Sequence, residues 1–149
     1  MEHGTYRKIM LVVEGAESDR SAGAAAVELA VTCHATLILL NFVDLMVVNR
    51  MKRFVEQSAA ELEIELEEKG WRSLYHVEEL SKMKGVTTLI LQRIGVPERE
   101  ILQEAERMKV DLIVLSSPRE AVCQARKLGP RHLEFLAEHA PCELLIVKH

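Results

Sequence analysis

Aromatic side chains are scarce in this sequence, 4% of 149 residues with a single Trp, so aliphatic packing must supply the core. Cysteine is scarce too. Cys33, Cys123 and Cys142 lie far apart with no C-x-x-C pair, and an odd, scattered set argues against a disulfide framework. No apolar run can cross a bilayer: the longest, Thr36 to Val48, is interrupted by Asn41 and Asp44. The opening residues MEHGTYRK contain no apolar signal core, and the chain reads as a cytoplasmic protein. Charge of one sign is also lacking. Lys and Arg number 19 against 23 Asp and Glu, a net charge of -4, which speaks against a nucleic-acid coat. With 48% hydrophobic residues and so little net charge, a disordered chain is excluded.

What is present is a set of short aliphatic runs: Ile9 to Val13, Leu37 to Val43, Val86 to Ile94, Leu112 to Leu115 and Leu144 to Val147. They are near-continuous rather than alternating, as strands covered on both faces are. Helical stretches separate them: Ser18 to Thr32, Met51 to Lys69, Glu98 to Met108 and Arg131 to Ala140. The order β-α-β-α-β-α-β-α-β predicts a three-layer α/β/α domain over residues 1–149, with a parallel sheet and right-handed crossovers. Pro97 and Pro130 stand near two helix starts, and Ser18 or Asp19 can cap the first helix. Gly70 is expected to break the second helix. Beyond it, Leu74, Val77, Leu80 and Met83 recur every three residues, which reads as a further short helix or a kinked continuation.

In an open parallel sheet, ligands bind beyond the carboxyl ends of the strands, near the point where strand order reverses. The loops there are Glu14 to Asp19, Asp44 to Arg50, Gly95 to Glu98 and Ser116 to Pro130. The last, with the start of the next helix, reads SSPREAVCQARKLGPRH and carries Arg119, Arg126, Lys127, Arg131 and His132. A cationic loop feeding a helix N-terminus suits a phosphate or an acidic ligand. The plainer reading is a solvated basic loop balanced by Glu120 and Glu134.

Other constellations carry less. His132 and His139 lie seven apart on one helix, and two ligands do not make a zinc site. Cys142 lacks a placed base, and Cys123 in the basic loop is a weak redox candidate. Ser116-Ser117 forms no G-x-S-x-G elbow. Leu45 to Val48, with Met51, Phe54 and Trp71, reads either as an apolar lid or as ordinary packing of the long helix. A receiver domain is set aside because no Asp ends the third strand. An electron carrier of the flavodoxin type is set aside because EGAESDR supplies only Ser18 as a hydroxyl.

Four segments together resemble the universal stress protein family: RKIMLVVEGAESDRSA, LILLNFVD, GVPEREILQEAERMKVDLIVLSS and LGPRHLEFLAEHAPCELLIVK. The resemblance implies a five-stranded parallel sheet of order 3-2-1-4-5. It also implies a homodimer formed through the last strand, Glu143 to Lys148, which would close an open sheet edge. Members that bind ATP share a loop of the form G-x-x-G-x9-G-[S/T], whose glycines bring backbone N–H groups to the phosphates. On this chain the four positions fall on Ser116, Arg119, Gly129 and Pro130, so only Gly129 matches. Pro130 removes both the hydroxyl and a backbone donor. At the end of the first strand, after Val13, Glu14 stands where the binders carry Asp, and Phe42 stands where a smaller residue lies beside the adenine. Phe42 is expected in the core. Glu14 needs a partner, and Arg119 is the candidate, the pair standing in for the phosphates. Alternatively Arg119 itself binds a phosphate.

The chain is therefore read as a small regulatory or stress-response module without ATP binding of the family's usual mode. No catalytic residue or metal is assigned, and an enzymatic role is left open. An unidentified protein partner is expected, with no nucleic acid and no membrane. The alternative is a binder of ATP or another adenine nucleotide with a rewritten loop and weak hydrolysis. Its site would be Val13, Glu14, Phe42, Ser116, Arg119, Gly129 and Pro130.

Overall fold

The structure, a computed structural model, describes residues 6–15, 19–118 and 128–148. Five parallel strands form one sheet: β1 (Lys8–Val12), β2 (Thr36–Asp44), β3 (Thr88–Gly95), β4 (Leu112–Ser116) and β5 (Glu143–Val147). Their spatial order is β3-β2-β1-β4-β5, as expected. β1 is central, pairing Leu11 with Leu39 on one side and with Val114 on the other.

Side chains on a strand alternate between faces, and both faces of this sheet are covered. Ile9, Leu11 and Val13 pack with Ala22, Ala26, Leu74 and Val77, that is, with α1 (Asp19–Cys33) and the helix α3 (Ala59–Met83). Met10, Val12 and Phe42 face the other way, onto Ile101 of α4 (Pro97–Met108) and Leu136 of α5 (Pro130–His139). The chain changes face when it leaves β3 for β4, so the reversal point lies between β1 and β4. Pro97 and Pro130 each occupy the first turn of their helix, as their fixed φ predicts.

The middle of the chain departs from the sequence reading. Residues Leu45–Met51 form a separate short helix, α2, capped by Asp44, whose Oδ1 accepts the Met46 N–H at 2.9 Å. Phe54, expected on a helix face, lies outside both helices and is 83% exposed. Helix α3 starts only after Ser58, where Ser58 and Glu61 exchange two hydrogen bonds in a capping box. It then runs through Gly70 without a break to Met83. The helix tolerates Gly70 because a neighbour demands it: a β-carbon there would fall 2.6 Å from Gln92 Nε2 and closer still to Asn41 Oδ1. Trp71 packs against the α1-side core and stacks on Tyr75, whereas Val48 of α2 packs in a separate cluster with Val43 and Leu62.

One buried ion cluster ties α4 to the edge strand. Glu104, 6% exposed in its side chain, meets Arg93 of β3 at 2.8 Å and Arg107 at 2.6 Å. Burial alone would raise its pKa, but the hydrogen bonds and charges of Arg107 and Arg93 outweigh burial and hold it below the usual value. A depressed folded-state pKa contributes stability above the unfolded value, which is lost as pH falls through the folded one. The Glu104→Gln variant should therefore lose about 1–3 kcal/mol at pH 7, the usual weight of hydrogen bonds to charged groups. Its deficit should shrink as pH falls below 4.5, the unshifted value for Glu. Urea titrations of both proteins across pH 3–7 check this, and a deficit independent of pH refutes it.

Candidate functional site

The carboxyl ends of the strands gather most of the residues that the sequence singled out. Val13 and Glu14 follow β1, Phe42 lies near the end of β2, and Ser116 ends β4. Gly129 and Pro130 open α5. Arg119 lies outside the described residues, as do Cys123, Arg126 and Lys127, so the Glu14–Arg119 pairing is not tested. Glu14 is 7% exposed, and its Oε1 accepts the N–H of Leu128 at 3.4 Å. That contact joins the β1 loop to the start of α5 across the reversal point.

The backbone donors along this edge are largely in use. Asp19, expected as a possible cap, is the first residue of α1, and its carboxylate turns back onto the preceding loop. It accepts the N–H of Glu14 at 3.1 Å and of Gly15 at 2.6 Å. Two successive N–H groups converging on one carboxylate form the kind of nest that holds an anion, here filled by the chain's own side chain. At α5, Gly129 N–H donates to His132 Nδ1 at 3.0 Å, and Pro130 has no N–H to offer. His132 thus takes the helix-capping position that Glu or Gln usually fills. Its Nδ1 accepts, so its proton sits on Nε2, 3.6 Å from Glu98 Oε1.

Next along β2 lies the residue that the resemblance set beside an adenine. Phe42 is fully buried among Met10, Val12 and Ile101, a core residue as expected. On the opposite face of β2, Asn41 Nδ2 donates to the Val13 carbonyl at 2.8 Å. Gln92 Nε2 donates to Asn41 Oδ1 and to the Glu67 carbonyl, each at 3.0 Å. The Val13 N–H is spent on Leu40 at 2.8 Å. Sequence reading missed Asp19, Asn41, Gln92 and His132 in these roles. An Asn inside an otherwise aliphatic strand, and a His three residues after a Gly-Pro helix start, were the available signals.

Metal and thiol chemistry find no support among the described residues. They contain no group of three or more His, Cys, Asp or Glu able to hold a metal. His139 is engaged locally, its Nδ1 lying 2.9 Å from the Phe135 carbonyl. Burial, and then the charges of Asp111 and Glu143, push the Cys142 thiol up to about 11, so it is not a thiolate at neutral pH. Among the described residues, no helix is long and apolar enough to cross a membrane.

Comparison with known proteins places these features in context. The family model described as "Universal stress protein family" matches residues 5–148. A curated universal stress protein of Methanocaldococcus jannaschii is 28% identical over 144 residues, spanning 96% of this chain and 82% of its own. A solved structure from the same family in Burkholderia pseudomallei superposes with a TM-score of 0.74 at 22% identity, covering 98% of both chains. A universal stress protein structure from Arabidopsis thaliana with AMP bound gives a TM-score of 0.66 at 18% identity, covering 96% of this chain and 92% of that one. At these identities the two structures establish a shared fold.

Proposed function

The chain belongs to the universal stress protein family, and from that premise we propose that it is a regulatory stress-response module that does not take ATP in the family's usual mode. The observation that carries this reading is the occupancy of the backbone donors around the reversal point. Asp19 holds two N–H groups of the β1 loop, Glu14 holds that of Leu128, and His132 holds that of Gly129. A phosphate entering there would have to displace these protein hydrogen bonds, those to the Asp19 and Glu14 carboxylates being worth about 1.5–3 kcal/mol each. On this reading the module works through protein contacts. Two copies pair through the outer edge of β5, which among the described strands neighbours only β4.

The experiment is nucleotide extraction from freshly purified protein, followed by calorimetric titration with ATP and Mg²⁺ and with AMP. The expected result is no retained nucleotide and no binding tighter than about 1 mM, a standard free energy of roughly -4 kcal/mol. Restoring the loop should reverse this. Arg119→Gly with Pro130→Ser is expected to tighten ATP binding at least about tenfold, the weight of one charge-assisted hydrogen bond. Micromolar binding by the unaltered protein overturns the proposal. If that binding also disappears in Arg119→Ala, the alternative stands, in which the rewritten loop itself holds an adenine nucleotide. The AMP-bound relative from Arabidopsis thaliana is what keeps that alternative in view.

A further inference from the structure

A groove of about 670 Å³ runs between α1 and α3 on the face of the sheet away from α4 and α5. Among the described residues, those singled out from the sequence as a nucleotide site do not line it. Its volume falls within the range of small-molecule sites, roughly 300–1,000 Å³. The α1 wall is low because it is built from Gly23 and Ala24, with Val27 below them. The α3 wall contributes Val77, Leu80 and Met83. Leu80 and Met83 are 45% and 78% exposed, although they continue the apolar face whose earlier members, Leu74 and Val77, are buried. Leu80 and Met83 are thus left exposed along a channel that no other described element covers.

Cations gather at one end of the groove. The two helices run parallel, since each leads from a carboxyl strand end to the next strand's start. Ser73 lies beside the β1 loop, where a β-carbon on Gly15 would sit 3.5 Å from its Oγ. The neighbouring residues Lys69 and Arg72 on α3 and Arg20 on α1 therefore surround the upper end. Asp19, the carboxylate at that end, is turned onto the N–H groups of Glu14 and Gly15. Among the described residues, Arg20, Lys69 and Arg72 line that end and Lys84 the opposite one, with His76 between them, against the carboxylates of Asp19 and Glu28, on a chain whose net charge is -4. Lys69 and Lys84 are about 22 Å apart along the helix axis, at about 1.5 Å per residue. Three cations at one end, an apolar α3 wall of about 9 Å from Val77 to Met83 and the small residues Gly23 and Ala24 opposite form one site.

We propose that the α1–α3 groove binds a single-chain amphipathic anion as a monomer, its acidic head at Arg20, Lys69 and Arg72 and its aliphatic tail along Val27, Val77, Leu80 and Met83. The groove meets the nucleotide edge at Gly15 and Asp19, but its test uses neither residue, so it stands or falls separately from the reading given above.

The probe is dodecanoate, titrated calorimetrically into the intact protein below its aggregation threshold, with dodecanol as the neutral control. One dodecanoate per chain is expected, with dodecanol at least about tenfold weaker because it lacks the charge-assisted head contacts. Arg72→Glu should weaken dodecanoate about tenfold or more. Ala24→Phe, at an exposed position on the groove wall, should abolish binding while thermal unfolding stays unchanged. Chemical-shift perturbation of the Leu80 and Val27 methyl groups by dodecanoate places the tail without any substitution. Equal affinity for the alcohol and the acid, or binding untouched by both variants, overturns the proposal. So does binding to anionic phosphatidylglycerol vesicles without binding to monomeric dodecanoate. A change of oligomeric state in Ala24→Phe, by sedimentation velocity, assigns the groove to a second copy of the chain and likewise overturns it.

Discussion

Replacing Phe42 by Ala is expected to cost about 3–5 kcal/mol, the range for deleting a buried aromatic ring. The ring is fully buried between β2 and the α4–α5 layer, among Met10, Val12 and Ile101. In a chain with 4% aromatic residues, no neighbouring ring of similar size is at hand to collapse into the space. The backbone on both sides is held in the sheet, with Phe42 paired to Arg93 of β3, so the cavity should persist rather than close. For a domain of this size such a loss lowers the melting temperature by roughly 10 °C. Chemical denaturation measures it, and a loss below about 1 kcal/mol would show that the ring is not packed as described. The substitution also has a functional readout. On the proposed reading Phe42 stands where a smaller aliphatic residue lies beside the adenine in nucleotide-binding members, so Phe42→Ala should bind adenosine more tightly than the unaltered chain if the ring is what blocks that space.

Gly70→Ala is expected to destabilise the fold by about 2–4 kcal/mol, against the gain of about 1 kcal/mol that Ala brings to a helix interior. The sign is decided by what the new methyl group meets. It would lie 2.6 Å from Gln92 Nε2 and closer to Asn41 Oδ1. Neither neighbour is the free end of a flexible chain. Asn41 is anchored on the Val13 carbonyl and Gln92 on the Glu67 carbonyl. Pushing them apart leaves buried polar groups unpaired at about 1–3 kcal/mol each. A cycle with Asn41→Ala should show strong coupling, because the second substitution removes the atom the methyl group strikes. A neutral or stabilised Gly70→Ala would mean that α3 does not approach β2 this closely.

Gly70 also shows where sequence reading stops. A lone Gly in a helical pattern reads as a break, and only the proximity of β2 and β3 reveals it as a contact. The same holds for Leu80 and Met83. Their spacing of three marked a helical face, yet only the width of the gap to α1 leaves them exposed in a groove. Other departures were legible in hindsight from local chemistry. The Ser58-Ala-Ala-Glu61 box marks the start of α3, and Asp44 marks the start of α2. The expected helix start at Met51 overlooked both caps and followed the apolar spacing instead.

The candidate site divides in the same way. The departures at Arg119 and Pro130 and the longer acid at Glu14 can be read directly against the loop pattern. That Asp19, Glu14 and His132 then occupy the backbone donors cannot, because each hydrogen bond depends on where two loops end relative to one another. The sequence by itself determined the alternation of strands and helices, the parallel sheet and the layer architecture. These rest on hydrophobic periodicity and short-range punctuation, which act within a few residues. The tertiary structure alone decided the unbroken α3, the Asn41–Gln92 bridge beneath it and the groove beside it. Those depend on contacts between residues far apart in the chain, whose distances are set only when the helices settle on the twisted sheet.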